Sequence, residues 1–257
     1  MEIIVSNNKG VRTLKLNRPA VFNSFNQQMA FALHKELDAA EQDATVRAIV
    51  LIGEGKAFCA GQDLAEVTDP NGPDLPSIVK DHYNPIIERI RNIEKPVIGA
   101  VNGVAAGAGA NIALACDITI AKKSAAFIQA FSKIGLIPDS AGTFFLPRII
   151  GFQKAAALMM TGDKVSAEEA VSLNMIYKAV EDENFETEVY ALAEKLAQMP
   201  TKGLGLTKRA LNASLTNNLT QQLAVEGELQ TIAGQTYDFN EGVNAFLEKR
   251  APVFKGE

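Results

Sequence analysis

Two stretches of small residues and one isolated acid are the parts of this sequence that could do chemistry. The first stretch, G-E-G-K-A-F-C-A-G-Q-D-L, runs from Gly53 to Leu64. The second, V-N-G-V-A-A-G-A-G-A-N-I-A-L-A-C-D, runs from Val101 to Asp117. Each follows an apolar, β-branched run, so each reads as a strand ending in a tight turn. After the second turn, the apolar segment Ile112 to Cys116 predicts a buried helix. The first N–H groups of a helix have no partner within it, and the helix dipole adds partial positive charge there. Small side chains let a ligand reach that backbone. Two such turns, if they converge, offer two N–H donors to one oxygen. That is an oxyanion hole, in which each donor contributes about 3 kcal/mol when charge develops on a carbonyl. The alternative for both turns is close helix–strand packing with no ligand.

The acid is Asp139, the one carboxylate in the apolar loop Q-A-F-S-K-I-G-L-I-P-D-S-A-G-T (Gln129 to Thr143). Its sequence neighbours are Leu136, Ile137, Pro138, Phe144 and Phe145. Apolar surroundings raise a carboxylate's pKa above about 3.9, which suits a group that must both take and return a proton. The competing role is helix capping, because Asp139 or Ser140 precedes a helical segment.

The elements that must position these groups follow from periodicity. Glu2 to Val5 and Val11 to Leu16 read as strands around the turn Asn8-Lys9-Gly10. Leu16 to Asn26 is a loop broken by Pro19. Gln27 to Ala40 places Met29, Leu33, Leu37 and Ala40 on one helical face, with His34 expected at the surface. Val46 to Ile52 is a buried strand. Ala65 to Pro76, polar and proline-rich, is expected to be a surface loop or flap. Ile78 to Ile93 reads as a helix with a kink or late start at Pro85; His82 and Tyr83 could line a pocket, but a helix-surface role is favoured. Phe144 to Met160 is helical in two pieces broken near Gly151, and Ser166 opens a further helix. Beyond Glu183 only helical patterns remain. The sequence therefore predicts an α/β core over 1–195 and a helical C-terminal region over 196–257.

Composition narrows the function. The chain has 257 residues and a formal net charge of -5, so bulk charge gives no support for a nucleic-acid or anionic-membrane partner. No apolar run is long enough to span a bilayer, and the first ten residues lack the basic start and apolar core of a secretory leader. Cys59 and Cys116, both in apolar contexts, are expected to be reduced thiols of a cytoplasmic protein. With His34 and His82 as the only histidines, no spacing suggests a metal site.

The segments K-A-F-C-A-G-Q-D-L and V-N-G-V-A-A-G-A-G-A-N-I-A-L-A-C-D-I, in this order and separation, resemble the enoyl-CoA hydratase/isomerase (crotonase) superfamily. So do L-N-R-P-A-V-F-N-S-F near the start and N-E-G-V-N-A-F-L-E-K-R near the end. The resemblance implies a spiral of β-β-α turns, a helical C-terminal region that builds trimers or dimers of trimers, an acyl-CoA thioester substrate and no cofactor. It assigns the oxyanion-hole amides to Gln62 and Ala108. It implies CoA contacts at Ala20, Phe22, Ala60, Gln62, Asp63 and Leu64, and at Phe246 and Lys249 approaching from a neighbouring subunit.

One departure from the family pattern bears on the reaction. Family hydratases activate water with two glutamates, and the matching positions here are Asn111 and Phe131. Neither can carry a proton. Asp139 matches the acid of family isomerases that act on dienoyl-CoA and on ring-epoxidised aryl-CoA thioesters. The resemblance therefore implies an isomerase with Asp139 as proton shuttle, with Tyr83, Asn111 and Phe131 as further pocket residues. The alternatives are a hydratase in which Glu66 or Asp69 assists Asp139, nucleophilic attack by Asp139 as in aryl-CoA dehalogenases, and a non-catalytic acyl-CoA-binding protein.

Overall fold

The computed structural model describes residues 1–257. Strands β1 (Ile3–Asn8) and β2 (Val11–Leu16) form the expected hairpin, with Lys9 and Gly10 both at positive φ in its two-residue turn. Helix α1 (Gln27–Gln42) follows, capped by Asn26, whose side chain accepts from the Met29 N–H. Then come β3 (Ala48–Gly53), β4 (Ala57–Cys59) and the short helices α2 (Leu64–Val67) and α3 (Leu75–Ser77). A π-wound segment (Ile78–Tyr83) runs directly into α4 (Asn84–Asn92), where Pro85 sits in the first turn, as proline prefers.

The pattern strand, short strand, helix then repeats. It comprises β5 (Val97–Val101), β6 (Val104–Ala106) and α5 (Ala108–Ala115), followed by β7 (Ile118–Lys122), β8 (Ala126–Ile128) and a 3-10 turn (Ala130–Ile134). Next are α6 (Gly142–Ile150), α7 (Phe152–Thr161), β9 (Lys164–Ser166), α8 (Ala167–Ser172) and β10 (Lys178–Val180). Four helices close the chain: α9 (Phe185–Ala197), α10 (Thr201–Ser214), α11 (Leu219–Ala233) and α12 (Tyr237–Glu248).

The strands sort into two sheets. One is six-stranded in the order β1-β2-β3-β5-β7-β10, parallel except for β1. The other is four-stranded, β4-β6-β8-β9, parallel except for β9. Successive units thus place one strand in each sheet, and the chain spirals. In β3 alternate side chains serve different cores: Ile49 and Leu51 face the main core, while Ala48, Val50 and Ile52 face α9. A strand buried on both sides must be apolar throughout, which is why Ala48 to Gly53 carries no polar residue.

Some expectations fail locally. His82 is 2% exposed and Tyr83 1%, so neither has the helix-surface role first favoured for them. The cause is the π-winding, which turns the residues before Pro85 out of phase with a 3.6-residue helix. His34 is half-buried, its Nε2 2.8 Å from the His82 carbonyl oxygen.

Candidate functional site

Three successive β-β-α units deliver three groups to one place. β4 leads into Gly61-Gln62, β6 into Gly107-Ala108, and β8, through the 3-10 turn, into the loop carrying Asp139. Because β4, β6 and β8 are parallel neighbours, their C-terminal ends lie side by side. The chain after them encloses a cavity of about 470 Å³ whose lining includes Gln62, Ala108 and Asp139.

The two small-residue turns touch. Gly61 and Gly107 both have positive φ, +93° and +52°. A Cβ on Gly61 would lie 3.0 Å from the Ala106 carbonyl oxygen and 3.6 Å from the Ala108 nitrogen, so glycine is required for the approach. Deeper in, a Cβ on Gly109 would lie 2.5 Å from the Cys59 carbonyl oxygen, which holds α5 against β4.

The direction of each amide follows from its peptide plane. The Gly61 carbonyl accepts from the Phe25 N–H at 2.7 Å, and in a trans peptide the next N–H points the opposite way. The Gln62 N–H therefore aims away from Phe25, and it donates to no protein acceptor. The Gly107 carbonyl accepts from Asn111 inside α5, so the Ala108 N–H points out of the helix N-terminus, also without a protein acceptor. Such free donors suit an oxygen that gains negative charge.

Asp139 is half-buried, and burial pushes its carboxyl above the ordinary range; the Ser140 hydroxyl, donating to Oδ1 at 2.9 Å, pulls the other way. It is the one carboxylate in the cavity lining, with Lys133 as the one cation. It does not cap a helix. α6 starts at Gly142 behind Ala141, and no side chain caps it. Ser140 and Ala141 instead both adopt left-handed conformations, φ +49° and +59°. Two consecutive non-glycine residues there cost of order 1–3 kcal/mol each, a strain that surrounding contacts must offset. One such contact is Asn111, whose Nδ2 donates to the Asp139 carbonyl at 2.8 Å while its Oδ1 accepts from Gln129 Nε2 at 2.8 Å.

The remaining expected residues divide. Ala60, Leu64, Tyr83 and Phe131 line the cavity, as does Leu136 of the expected apolar surroundings of Asp139, together with apolar residues the sequence did not single out: Val67, Leu75, Ile78 and Ile134. Asn111 is not in the lining; it is buried behind the acid loop as a brace. Asp63 faces Arg18 at 2.8 Å and caps α2. Ala20 and Phe22 lie on an exposed 3-10 turn, tied to the site where the Ala60 N–H donates to the Phe22 carbonyl. Phe246, 83% exposed, and Lys249 lie at the end of α12, away from this cavity and beside a separate apolar groove of about 430 Å³ that Phe246 helps line. Glu66 does not line the cavity: its carboxylate accepts from Gln62 Nε2 and from the Gln27 N–H. Cys59 is fully buried, its thiol pushed up to about 12 by desolvation, and is inert. No cluster of three His, Cys, Asp or Glu residues has metal-binding geometry. No helix is long and apolar enough to cross a membrane.

A spiral of β-β-α units with two free amides at the ends of neighbouring parallel strands defines a class, and the comparisons agree. The family described as Enoyl-CoA hydratase/isomerase matches residues 6–257, and the chain belongs to it. Enzymes of this family act on acyl thioesters without a bound cofactor. The chain is 50% identical to the 1,2-epoxyphenylacetyl-CoA isomerase of Escherichia coli (strain K12), over 100% of both chains. It is 46% identical to a Rhodobacter capsulatus protein named "Probable enoyl-CoA hydratase", over 96% of this chain and 95% of that one. Among solved structures, an enoyl-CoA hydratase from Bacillus anthracis superposes with a TM-score of 0.93 at 33% identity, over 100% of each chain.

Proposed function

We propose that this protein is an acyl-CoA isomerase, acting on ring-1,2-epoxyphenylacetyl-CoA to give oxepin-CoA, on unsaturated acyl-CoA double bonds, or on both. The thioester oxygen sits between the Gln62 and Ala108 amides. Asp139 removes a proton from the carbon next to the thioester, the amides carry the charge of the enolate, and Asp139 returns a proton further along the acyl group. The double bond shifts, and no atom is gained or lost. For the epoxide, the same proton movement accompanies opening of the strained ring.

One observation carries this reading: the cavity that holds two unpartnered amides has a single carboxylate in its lining, Asp139. The resemblance adds that Asn111 and Phe131 match positions where family hydratases carry glutamates. The apolar remainder of the lining suits a flat or aliphatic acyl group. The CoA end lies along Ala20, Phe22, Ala60, Asp63 and Leu64. In this proposal 196–257 is the oligomerisation region of a homotrimer or a dimer of trimers. The exposed Phe239, Val243, Phe246 and Leu247 of α12 support it, and Phe246 and Lys249 would reach the CoA of a neighbouring subunit.

The test is a panel of a 3-enoyl-CoA, crotonyl-CoA and epoxidised phenylacetyl-CoA. The first or the third is converted to an isomer of unchanged mass, and crotonyl-CoA keeps its enoyl-thioester absorbance. Rapid hydration of crotonyl-CoA overturns the assignment in favour of a hydratase.

A further inference from the structure

A backbone donor places no demand on its own side chain, yet the Gln62 side chain is bonded at both ends. Its Oε1 accepts from the Tyr83 hydroxyl at 2.8 Å, and its Nε2 donates to Glu66 Oε2 at 2.9 Å. The other oxygen of Glu66 accepts from the Gln27 N–H at 2.8 Å, in the first turn of α1, where an unpartnered amide and the helix dipole favour a carboxylate. The chain therefore joins four separate elements: the π-wound segment, the Gln62 turn, α2 and α1.

Glu66 also sets its polarity. Facing a carboxylate, the Gln62 amide must present its NH2, so its oxygen must face Tyr83 and the Tyr83 hydroxyl must donate. The Tyr83 proton is thereby committed to Gln62 and not to the cavity that Tyr83 lines.

We propose that Gln62, through its side chain, and Glu66 are positioning residues: the Tyr83–Gln62–Glu66 chain holds the Gln62 amide on its aim and fastens α2 beside the cavity. This rests on the reading of that amide as an oxyanion donor. The Gly61 carbonyl and the Asp63 N–H on either side are fixed by Phe25. Phe25 thus holds the peptide plane that carries the Gln62 N–H, and the side-chain bonds of Gln62 add a second hold at its Cα.

The test uses Gln62→Met, which keeps the volume and the backbone N–H but loses both side-chain bonds, and Glu66→Gln, which retains one acceptor oxygen where two are used. Two readouts are taken: kcat and KM for the isomerised substrate, and the infrared carbonyl stretch of bound phenylacetyl-CoA labelled with carbon-13 at the thioester. Wild type is expected to shift that stretch below its value in water. Gln62→Met is expected to lose part of the shift and about tenfold in kcat, with KM within about twofold. Glu66→Gln follows in the same direction with a smaller loss. In the double variant the two losses fail to add, because the residues act as one unit. An unchanged stretch and unchanged kcat in Gln62→Met overturn the positioning role and leave the oxyanion hole standing. Absence of any shift in the wild type overturns the hole itself.

Discussion

The two walls of the cavity are built on opposite principles. The proposed donor wall, Gly61-Gln62 and Gly107-Ala108, offers backbone amides and needs glycine where the turns meet. Its second turn starts α5, a helix in which every residue is buried, so apolar packing fixes it. The proposed acid wall, from Gln129 to Ala141, presents one side chain, Asp139. Its backbone is strained at Ser140 and Ala141, and the amide of Asn111 props it from behind. A donor that must stabilise charge gains from rigidity set by the fold. In the proposed reaction Asp139 takes and gives a proton, and burial in the loop raises its pKa, as that role requires.

The largest separation of the two walls comes from Asp139→Asn. It leaves the donor wall intact, so affinity for a CoA thioester should stay within about twofold while turnover falls by about 10²–10⁴, the usual contribution of a general acid–base group. Calorimetric titration beside a kinetic assay reads both. Breaking the donor wall is next. In Gly61→Ala the new Cβ lies 3.0 Å from the Ala106 carbonyl at a φ of +93°, so the turns must separate. A misplacement of about 1 Å costs about 10² in rate, and the protein also loses about 1–3 kcal/mol of stability, measurable by urea unfolding.

A smaller effect is expected from Asn111→Ala, which removes the donor to the Asp139 carbonyl and leaves Gln129 Nε2 without its acceptor. Turnover should fall by about tenfold and stability by about 1–3 kcal/mol. A turnover equal to that of wild type would show that the loop holds its strained turn unaided.

The smallest effect sharpens the acid wall through pH. Burial raises the Asp139 pKa in the folded state, so the ionised carboxylate opposes folding at neutral pH. That cost is absent below the unfolded value near 3.8 and grows as pH rises through the folded pKa. Asp139→Asn should therefore melt higher than wild type at pH 7, with the difference shrinking towards pH 4. A difference that widens on acidification has the wrong sign for this environment.

Much of this was legible because small-residue turns and apolar runs are local signals. The hairpin at Lys9-Gly10, the break at Gly151 and the two donor turns all follow from a few adjacent residues. The strands of the small sheet, such as Ala57–Cys59 and Lys164–Ser166, are too short to show a period. Burial of His82 and Tyr83 was hidden by the π-winding, since the expected inward face assumes 3.6 residues per turn. Asp139 stood out as one acid in an apolar loop. Its brace did not, because Asn111 and Asp139 lie far apart in sequence and meet only through packing. The link from Gln62 to Glu66 left one trace, a spacing of four, but Gln62 precedes the helix in which that spacing has meaning.

Turnover can be limited by product release, whereas hydrogen exchange sees proton removal itself. The most direct test of the central claim is exchange of the C2 hydrogens of a 3-enoyl-CoA with deuterium oxide, followed by NMR. The account predicts exchange with the wild type and a loss of at least about 10² in its rate with Asp139→Asn, at concentrations where both proteins are saturated. Exchange by Asp139→Asn at the wild-type rate would contradict it.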